Sequence, residues 1–299
     1  MLQFRPVTIQ DKQLVDGFIK EKKYWITEYS FTYMMLWNRV VFFEICPTEQ
    51  ALYFRCSYDD ERFYFLPVVK DGNLEAHYKK LEAFADAEGP WKLICIDDKN
   101  LQLLSPSFLE EYVLERDVDY CEYIYRSEDL IGLKGKKYHA KRNHIAKFNK
   151  RYVYTFSPLT KDDFAECLAF NERWKEDKPE EMIRDMQDEV LALEDCFTYY
   201  DQLGLVGACI RIDGKLEGFA IGEYTHDEMA VVHFEKCNPA FDGIYAAMNQ
   251  MFAEKYFSNV PYINRQDDIG LEGLRKAKLS YYPAFMGEKY FMVRKDEQQ

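Results

Sequence analysis

The sequence predicts an α/β protein with mixed sheets, folded as two similar three-layer halves, and three observations carry that expectation. Helix-patterned and strand-patterned segments follow one order in the first half of the chain and repeat it in the second. Between them lies "KGKKYHAKRNHIAKFNKR", Lys134 to Arg151, with eight Lys or Arg, two His and no acid, while the flanking segments carry net charges of -9 and -12. The 299 residues are 47% hydrophobic and 16% aromatic, enough to fill two ring-rich cores. The expected division is 1-133, a basic linker helix over 134-151, and 152-299.

In the first half, Thr8-x-x-Asp11 reads as a capping box opening an amphipathic helix to about Lys22, and "SFTYMMLWN" reads as a second, aromatic helix. "VVFFEIC", "ALYFRCSY" and "RFYFLPVV" are short β-branched and aromatic runs separated by turn residues, the pattern of a three-strand meander. A helix over 73-88 ends before Gly89-Pro90; the strand "WKLICID", a helix from Asp98 and the strand "DYCEYIYR" follow.

In the second half, Thr160-x-x-Asp163 caps the next helix, and "PEEMIRDMQDEVLALEDCFTYYDQLG" opens with Pro179 and closes on Gly204. Strands are expected at "LVGACIRID", "KLEGFAIGEYT" and "MAVVHFEKC", with Gly214 in a hairpin turn. A helix from about Gly243 to Phe257, the strand "PYIN", the helix "LEGLRKAKLSYY" and the strand "EKYFMVRK" complete the order. Helix, helix, three strands, helix, strand, helix, strand resembles the GNAT (Gcn5-related) acyltransferase core, whose sheet opens between its fourth and fifth strands. Two such units in tandem account for the length.

Composition excludes a disordered chain. No apolar run reaches the roughly 18–20 residues of a membrane span, and the first residues lack the basic-then-apolar order of a signal peptide, so the expected compartment is the cytoplasm. Eight scattered cysteines without a C-x-x-C pair read as reduced, buried thiols, and five dispersed histidines give no metal set. The motifs of P-loop nucleotide hydrolysis, dinucleotide binding, serine hydrolysis and zinc proteolysis are absent. A net charge of -13 disfavours general nucleic-acid binding and leaves room for a confined site for a phosphorylated ligand.

Three constellations can carry chemistry. In the basic helix, Tyr138, Lys141, Ile145, Phe148 and Tyr152 share one stripe, flanked by Lys137, Arg142 and His144, while Lys136, Lys147 and Lys150 point away. A solvated linker helix is the alternative there. In "VVHFEKCNPAFDG", strand alternation sets His233 and Glu235 on one face, where Glu235 can act as a general base, and the polar turn at Asn238 leads into a helix N-terminus suited to an anion. A polar pair at a sheet edge is the alternative. The turn lacks the Arg-Gly-x-Gly pattern by which common GNAT acetyltransferases hold the coenzyme A pyrophosphate. In "YINRQDDIGLEGLRKAKLSYYP", Asn264, Arg265, Gln266 and Asp267 leave an apolar strand ahead of a helix carrying Arg275 and Lys278, then Tyr281 and Tyr282. The carboxyl end of a strand in an open α/β sheet is a usual ligand position.

These motifs, with "YIYRSEDLIGLKGKKYHAKRNHIAKFNKRY" and "GIYAAMNQMFAEKYF", resemble a bacterial family similar to the C-terminal domain of phosphatidylglycerol lysyltransferases, itself related to the Fem aminoacyltransferases. The resemblance spans nearly the whole chain and implies a tandem GNAT fold. It implies transfer of an aminoacyl group from charged tRNA, with Lys137, Lys141 and Arg142 near a phosphate or acceptor-stem groove and Asn264, Arg265, Gln266, Asp267, Arg275 and Lys278 lining the pocket.

The function expected is acyl or aminoacyl transfer from a coenzyme A thioester or an aminoacyl-tRNA to an amine or hydroxyl. Glu235 would take the acceptor's proton and Tyr281 or Tyr282 would protonate the leaving group. A non-catalytic ligand-binding module on a degenerate fold, and RNA binding by the basic helix alone, are the competing classes.

Overall fold

The computed structural model describes residues 2–176 and 183–295. In chain order the first half forms β1 (Arg5–Pro6), α1 (Lys12–Ile19), α2 (Phe31–Trp37), β2 (Phe42–Pro47), β3 (Ala51–Tyr58), β4 (Glu61–Tyr64), β5 (Val68–Val69), α3 (Leu74–Glu88), β6 (Lys92–Ile96), α4 (Asp98–Leu101), α5 (Pro106–Leu109), β7 (Tyr112–Arg116) and β8 (Glu122–Arg126). The second forms α6 (Ser127–Gly132), α7 (His139–Arg151), β9 (Tyr154–Pro158), α8 (Phe164–Glu176), α9 (Ile183–Thr198), α10 (Tyr200–Leu203), β10 (Val206–Ile212), β11 (Lys215–His226), β12 (Met229–Cys237), α11 (Ile244–Tyr256), β13 (Tyr262–Asn264), α12 (Glu272–Leu279), β14 (Phe285–Gly287) and β15 (Tyr290–Arg294). The expected helix start at Pro179 lies outside the described residues.

Two sheets result, with corresponding strand orders. One runs β1-β2-β3-β4-β6-β15-β7, with β5 paired to β3; the other, read in the same sense, runs β9-β10-β11-β12-β13-β8-β14. Each contains a parallel pair at the same place, β4 with β6 and β12 with β13. The duplication read from hydrophobic periodicity is therefore present, and it includes strands that periodicity missed. β1, β7, β9 and β14 have two to five residues each, too few to establish a period against their neighbours. "RFYFLPVV" is split because Pro67 has no N–H for the ladder, and Val68–Val69 pair with Ala51 and Leu52 instead.

The halves do not divide at residue 133. One compact unit comprises residues 1–122, 267–271 and 286–299; the other comprises 123–266 and 272–285. Strand β8 pairs with β13 in the second sheet, and the chain-terminal β15 pairs with β6 and β7 in the first. The strand following each half's last edge strand fills an inner position of the other half's sheet. Hydrophobic pattern records that a segment such as β8 or β15 is a strand, and does not record which sheet it joins.

In the first unit, alternation along β3 sends Tyr53 into a core with Leu74, Tyr78, Leu81 and Ala85 of α3, and sends Phe54 against Tyr29 on the other face. A polar cluster lies there, with Lys289, Glu28 and Glu122 buried and Asp267 partly exposed. Lys289 Nζ lies 2.5 Å from Glu28 Oε1, 2.9 Å from Glu122 Oε1 and 3.7 Å from Asp267 Oδ2, and Thr27 donates to Glu122 from both its N–H and its hydroxyl. Asp267, expected to line a pocket, is instead a member of this cluster. Burial pushes the Glu28 carboxyl up to about 7, against the pull of Lys289 and with added repulsion from Glu122 and Asp267.

In the second unit, Phe170 of α8 packs on Phe219 of β11 on one face of the sheet, and α11 covers the other. The basic segment is helical as expected. Tyr138 and Phe148 are fully buried and Lys141, Ile145 and Tyr152 half-buried, with Lys136, Lys147 and Lys150 exposed. α7 meets the start of α11 at Gly243, whose φ is 92° and whose Cβ, if present, would lie 2.3 Å from the carbonyl oxygen of His144. Only glycine fits that approach and that dihedral together.

Two outcomes are expected. Gly243→Ala should lower stability by about 2–4 kcal/mol in urea titrations, because backbone must move. For Glu28, the folded state holds a proton up to about pH 7 that an unfolded carboxyl releases near pH 4.5, so its contribution to stability falls as pH rises through that window. Glu28→Gln should flatten the fall in melting temperature between these pH values and leave the variant at least as stable as the parent at pH 8.

Candidate active site at the opening of the second sheet

β12 and β13 pair only through Met229↔Tyr262, Ala230↔Ile263 and Val231↔Asn264. β12 then continues to Cys237, whereas the chain after β13 turns away. Asn264 Oδ1 accepts from the Gln266 N–H at 2.7 Å, and Gln266 takes a φ of 57°. The turn is held on its far side by β8, with Arg265 N donating to Tyr123 O and Tyr123 N donating to Gln266 O. The two parallel strands therefore diverge, and side chains from their carboxyl ends meet across the divergence.

Glu235 and Arg265 meet there. Arg265 Nη2 lies 3.0 Å from Glu235 Oε1, and Asn249 of α11 donates from Nδ2 to Glu235 Oε2 at 3.2 Å, so both carboxylate oxygens are engaged. The Arg265 guanidinium sits over the Tyr281 ring at 4.9 Å and near that of Tyr125 at 5.8 Å. Lys141 Nζ lies over the same Tyr281 ring at 3.8 Å. Arg265 Nη1 and Asn249 Oδ1 are buried and make no hydrogen bond among the described residues. Around the Glu235–Arg265 pair there are thus a buried unused donor and a buried unused acceptor, with a lysine amine on the same tyrosine ring as Arg265.

Electrostatics sets these groups apart from ordinary surface ones. Burial and the Arg265 charge push the Lys141 ammonium down to about 8, with Glu235 acting in the opposite sense. Burial pushes the Tyr281 phenol up to about 12, so it keeps its proton at neutral pH, and its hydroxyl makes no hydrogen bond among the described residues. Lys278 is buried and spends its ammonium on the Arg265 carbonyl at 2.7 Å; Tyr125 and Tyr138 donate to the carbonyls of Lys278 and Tyr281 at 2.8 and 2.9 Å. These bonds hold the backbone carrying Arg265 and Tyr281.

Of the residues singled out from sequence, Glu235, Arg265, Lys141 and Tyr281 come together, with Asn264 and Lys278 supporting them. Others are placed elsewhere. His233 is the extra residue of a β-bulge, since Phe234 pairs with Ile221 and Val232 with Gly222; it bonds Glu223 at 3.0 Å instead of sharing a face with Glu235. Arg142 donates to the carbonyls of Leu133 and Gly135 and fixes the entry to α7. Lys137 pairs with Asp129 and lies over Tyr138 and Tyr282, and His144 faces Asp242, so acids from outside the basic segment compensate part of it. Asn238 bonds Glu217 and the Ala240 N–H within its turn. Gln266 is committed through its backbone, Arg275 is half-exposed on α12, and Tyr282 is about half exposed. Sequence reasoning missed Asn249 and Tyr125. The legible signal for Asn249 was a polar residue on the apolar face formed by Ile244, Ala247, Met248 and Phe252.

The first unit has the same divergence after β4 and β6, but aromatic rings fill it. Tyr24 and Tyr29 stack at 4.2 Å, with Tyr29 bonded to the Leu66 carbonyl past the end of β4 and the Tyr24 hydroxyl 3.5 Å from Asn100 past the end of β6. No helix among the described residues is long and apolar enough to cross a membrane.

Two sheets of this order, each opening at one parallel pair, define a tandem GNAT-like protein. The chain belongs to the family of phosphatidylglycerol lysyltransferase C-terminal domains, whose model matches residues 21–293. It is similar to a conserved protein of unknown function from Bacteroides thetaiotaomicron, with 32% identity, a TM-score of 0.92 and coverage of 99% of this chain and 100% of that one. The fold is also that of L-PGS from Bacillus licheniformis (TM-score 0.60, 16% identity, 83% and 82% covered) and of a tandem GNAT protein from the clavulanic acid biosynthesis pathway (TM-score 0.55, 8% identity, 98% of each chain). Family and fold together are of the acyltransferase type.

Lysine-selective NMR should find Lys141 titrating near pH 8. Glu235→Gln should lower that midpoint further, because a stabilising carboxylate is lost, and Arg265→Gln should raise it, because a repelling charge is lost.

Proposed function

We propose that this protein transfers an activated acyl or aminoacyl group, carried as an aminoacyl-tRNA ester or a coenzyme A thioester, to an amine or hydroxyl acceptor at the opening between β12 and β13. The observation that carries this reading is the Arg265–Glu235 pair with its unused Nη1, set beside the Lys141 amine over a protonated Tyr281. Glu235, with both oxygens engaged, orients Arg265 and is poorly placed to accept a proton. Lys141, whose neutral form is well populated near pH 8, is the better proton acceptor for the attacking group. Arg265 Nη1 would stabilise the oxyanion or a donor phosphate, and the Tyr281 hydroxyl would protonate a departing alkoxide, whereas a thiolate leaves without that proton. The plugged opening of the first unit supports one reacting site per chain. The relatives named for phosphatidylglycerol lysyl transfer make charged lysyl-tRNA the first donor to try.

The test presents lysyl-tRNA, other aminoacyl-tRNAs and a panel of acyl-CoA thioesters with small amines or phosphatidylglycerol vesicles, and reads product by mass spectrometry. One donor class should give product with the parent chain. Arg265→Gln and Lys141→Ala should each lower kcat/KM for it by roughly 10²–10³-fold. Absence of both turnover and calorimetric binding for every donor would sink the reading.

A further inference from the structure

Lys141 differs from the other lysines of the basic segment in what surrounds its amine. Lys137 has Asp129, and Lys136, Lys147 and Lys150 stand in solvent. Lys141 makes no ion pair or hydrogen bond among the described residues; its Nζ rests on the Tyr281 ring, half-buried on the stripe that α7 turns toward α11. The charges acting on it are Arg265 and, in the opposite sense, Glu235, which Arg265 and Asn249 already hold. Tyr281 is the titratable group directly beneath it, and Asp242, at the start of α11, faces His144. An amine so placed sheds its proton near pH 8 while remaining partly open to solvent. The ordinary ammonium keeps its own to about 10.4.

We propose that Lys141 is a nucleophilic amine and an acylation site, which captures an activated acyl group when no acceptor is present. The neutral Nζ attacks the carbonyl carbon of a thioester, ester or anhydride, and a C–N bond forms as the C–S or C–O bond breaks. The nitrogen loses its extra proton to the departing thiolate, alkoxide or carboxylate, or to water, and an amide remains. Nothing is oxidised or reduced. Acylation removes a positive charge beside Arg265, fills part of the opening and deletes the amine required above as proton acceptor, so it also silences the site. The nucleophilicity stands on an amine that is half-buried, lacks a carboxylate partner among the described residues and feels the Arg265 charge, against which the Tyr281 ring face favours the ammonium; the identity of the natural acyl donor rests on the function proposed above.

The experiment treats the full chain with substoichiometric acetic anhydride over a pH series and measures acetylation of each lysine by peptide mass spectrometry. At neutral pH, Lys141 should react about tenfold faster than the exposed Lys161 and Lys276, with a midpoint near pH 8. Arg265→Gln should slow it by shifting the midpoint upward, and circular dichroism of that variant separates this effect from unfolding. Reaction of Lys141 no faster than that of Lys161 and Lys276 overturns the proposal. A second arm replaces the anhydride with acyl-CoA thioesters and aminoacyl-tRNAs. Labelling by the anhydride alone upholds the nucleophile and counts against the donor assignment, which keeps the two failures apart.

Discussion

A lysine ammonium fully enclosed in protein has to be met by carboxylates, and in this chain that requirement fixes three distant points at once. Lys289 immediately precedes β15, Glu122 is the first residue of β8, and Asp267 lies two residues beyond Arg265; all three side chains meet, with Glu28, in one cluster. Removing the ammonium would leave buried carboxylates unpaired, a loss on the order of 3–5 kcal/mol. The residue before β15, the first residue of β8 and the segment at Asp267 are therefore rooted in one electrostatic arrangement within the first unit. Three carboxylates around one cation leave a surplus of negative charge, and the raised Glu28 carboxyl is where it is relieved.

Within the second unit, the site is held by bonds of its own. The turn after β13 is fixed on one side by the Tyr123 backbone of β8 and from below by Lys278 on the Arg265 carbonyl. With its backbone held, Arg265 can face Glu235 across the divergence of two parallel strands. The tyrosine hydroxyls of an aromatic-rich chain serve mainly to pin carbonyls, as Tyr125 and Tyr138 do, while ring faces receive the cations. The two units share a topology yet differ in what fills the opening, stacked tyrosines in one and a charged constellation in the other.

Much of the fold was legible because its longer elements have clean periods. β3 and β12 fall where the sequence places them, α3 starts at its Asn73 cap and stops at Gly89, and Lys141 lies on the less exposed stripe of α7. Within the site, Glu235 was legible as an acid on an apolar strand, and Arg265 and Tyr281 as polar groups flanking α12. His233 was misplaced because a single extra residue in β12 reverses a two-residue alternation, and nothing in "VVHFEKC" marks the bulge.

By itself the sequence determined the order of helices and strands, the duplicated topology, the absence of the common nucleotide and hydrolase motifs, and the amphipathic stripe of the basic helix, since all of these are local or periodic properties. The tertiary structure alone decided which sheet receives β8 and β15, that Asp267 belongs to the Lys289 cluster, and that Arg142, Lys137 and Asn238 are spent on structural contacts. It alone brought Lys141, separated from Tyr281 by more than a hundred residues of chain, onto that ring. Such pairings depend on which groups lose their water together, and sequence spacing carries no record of that.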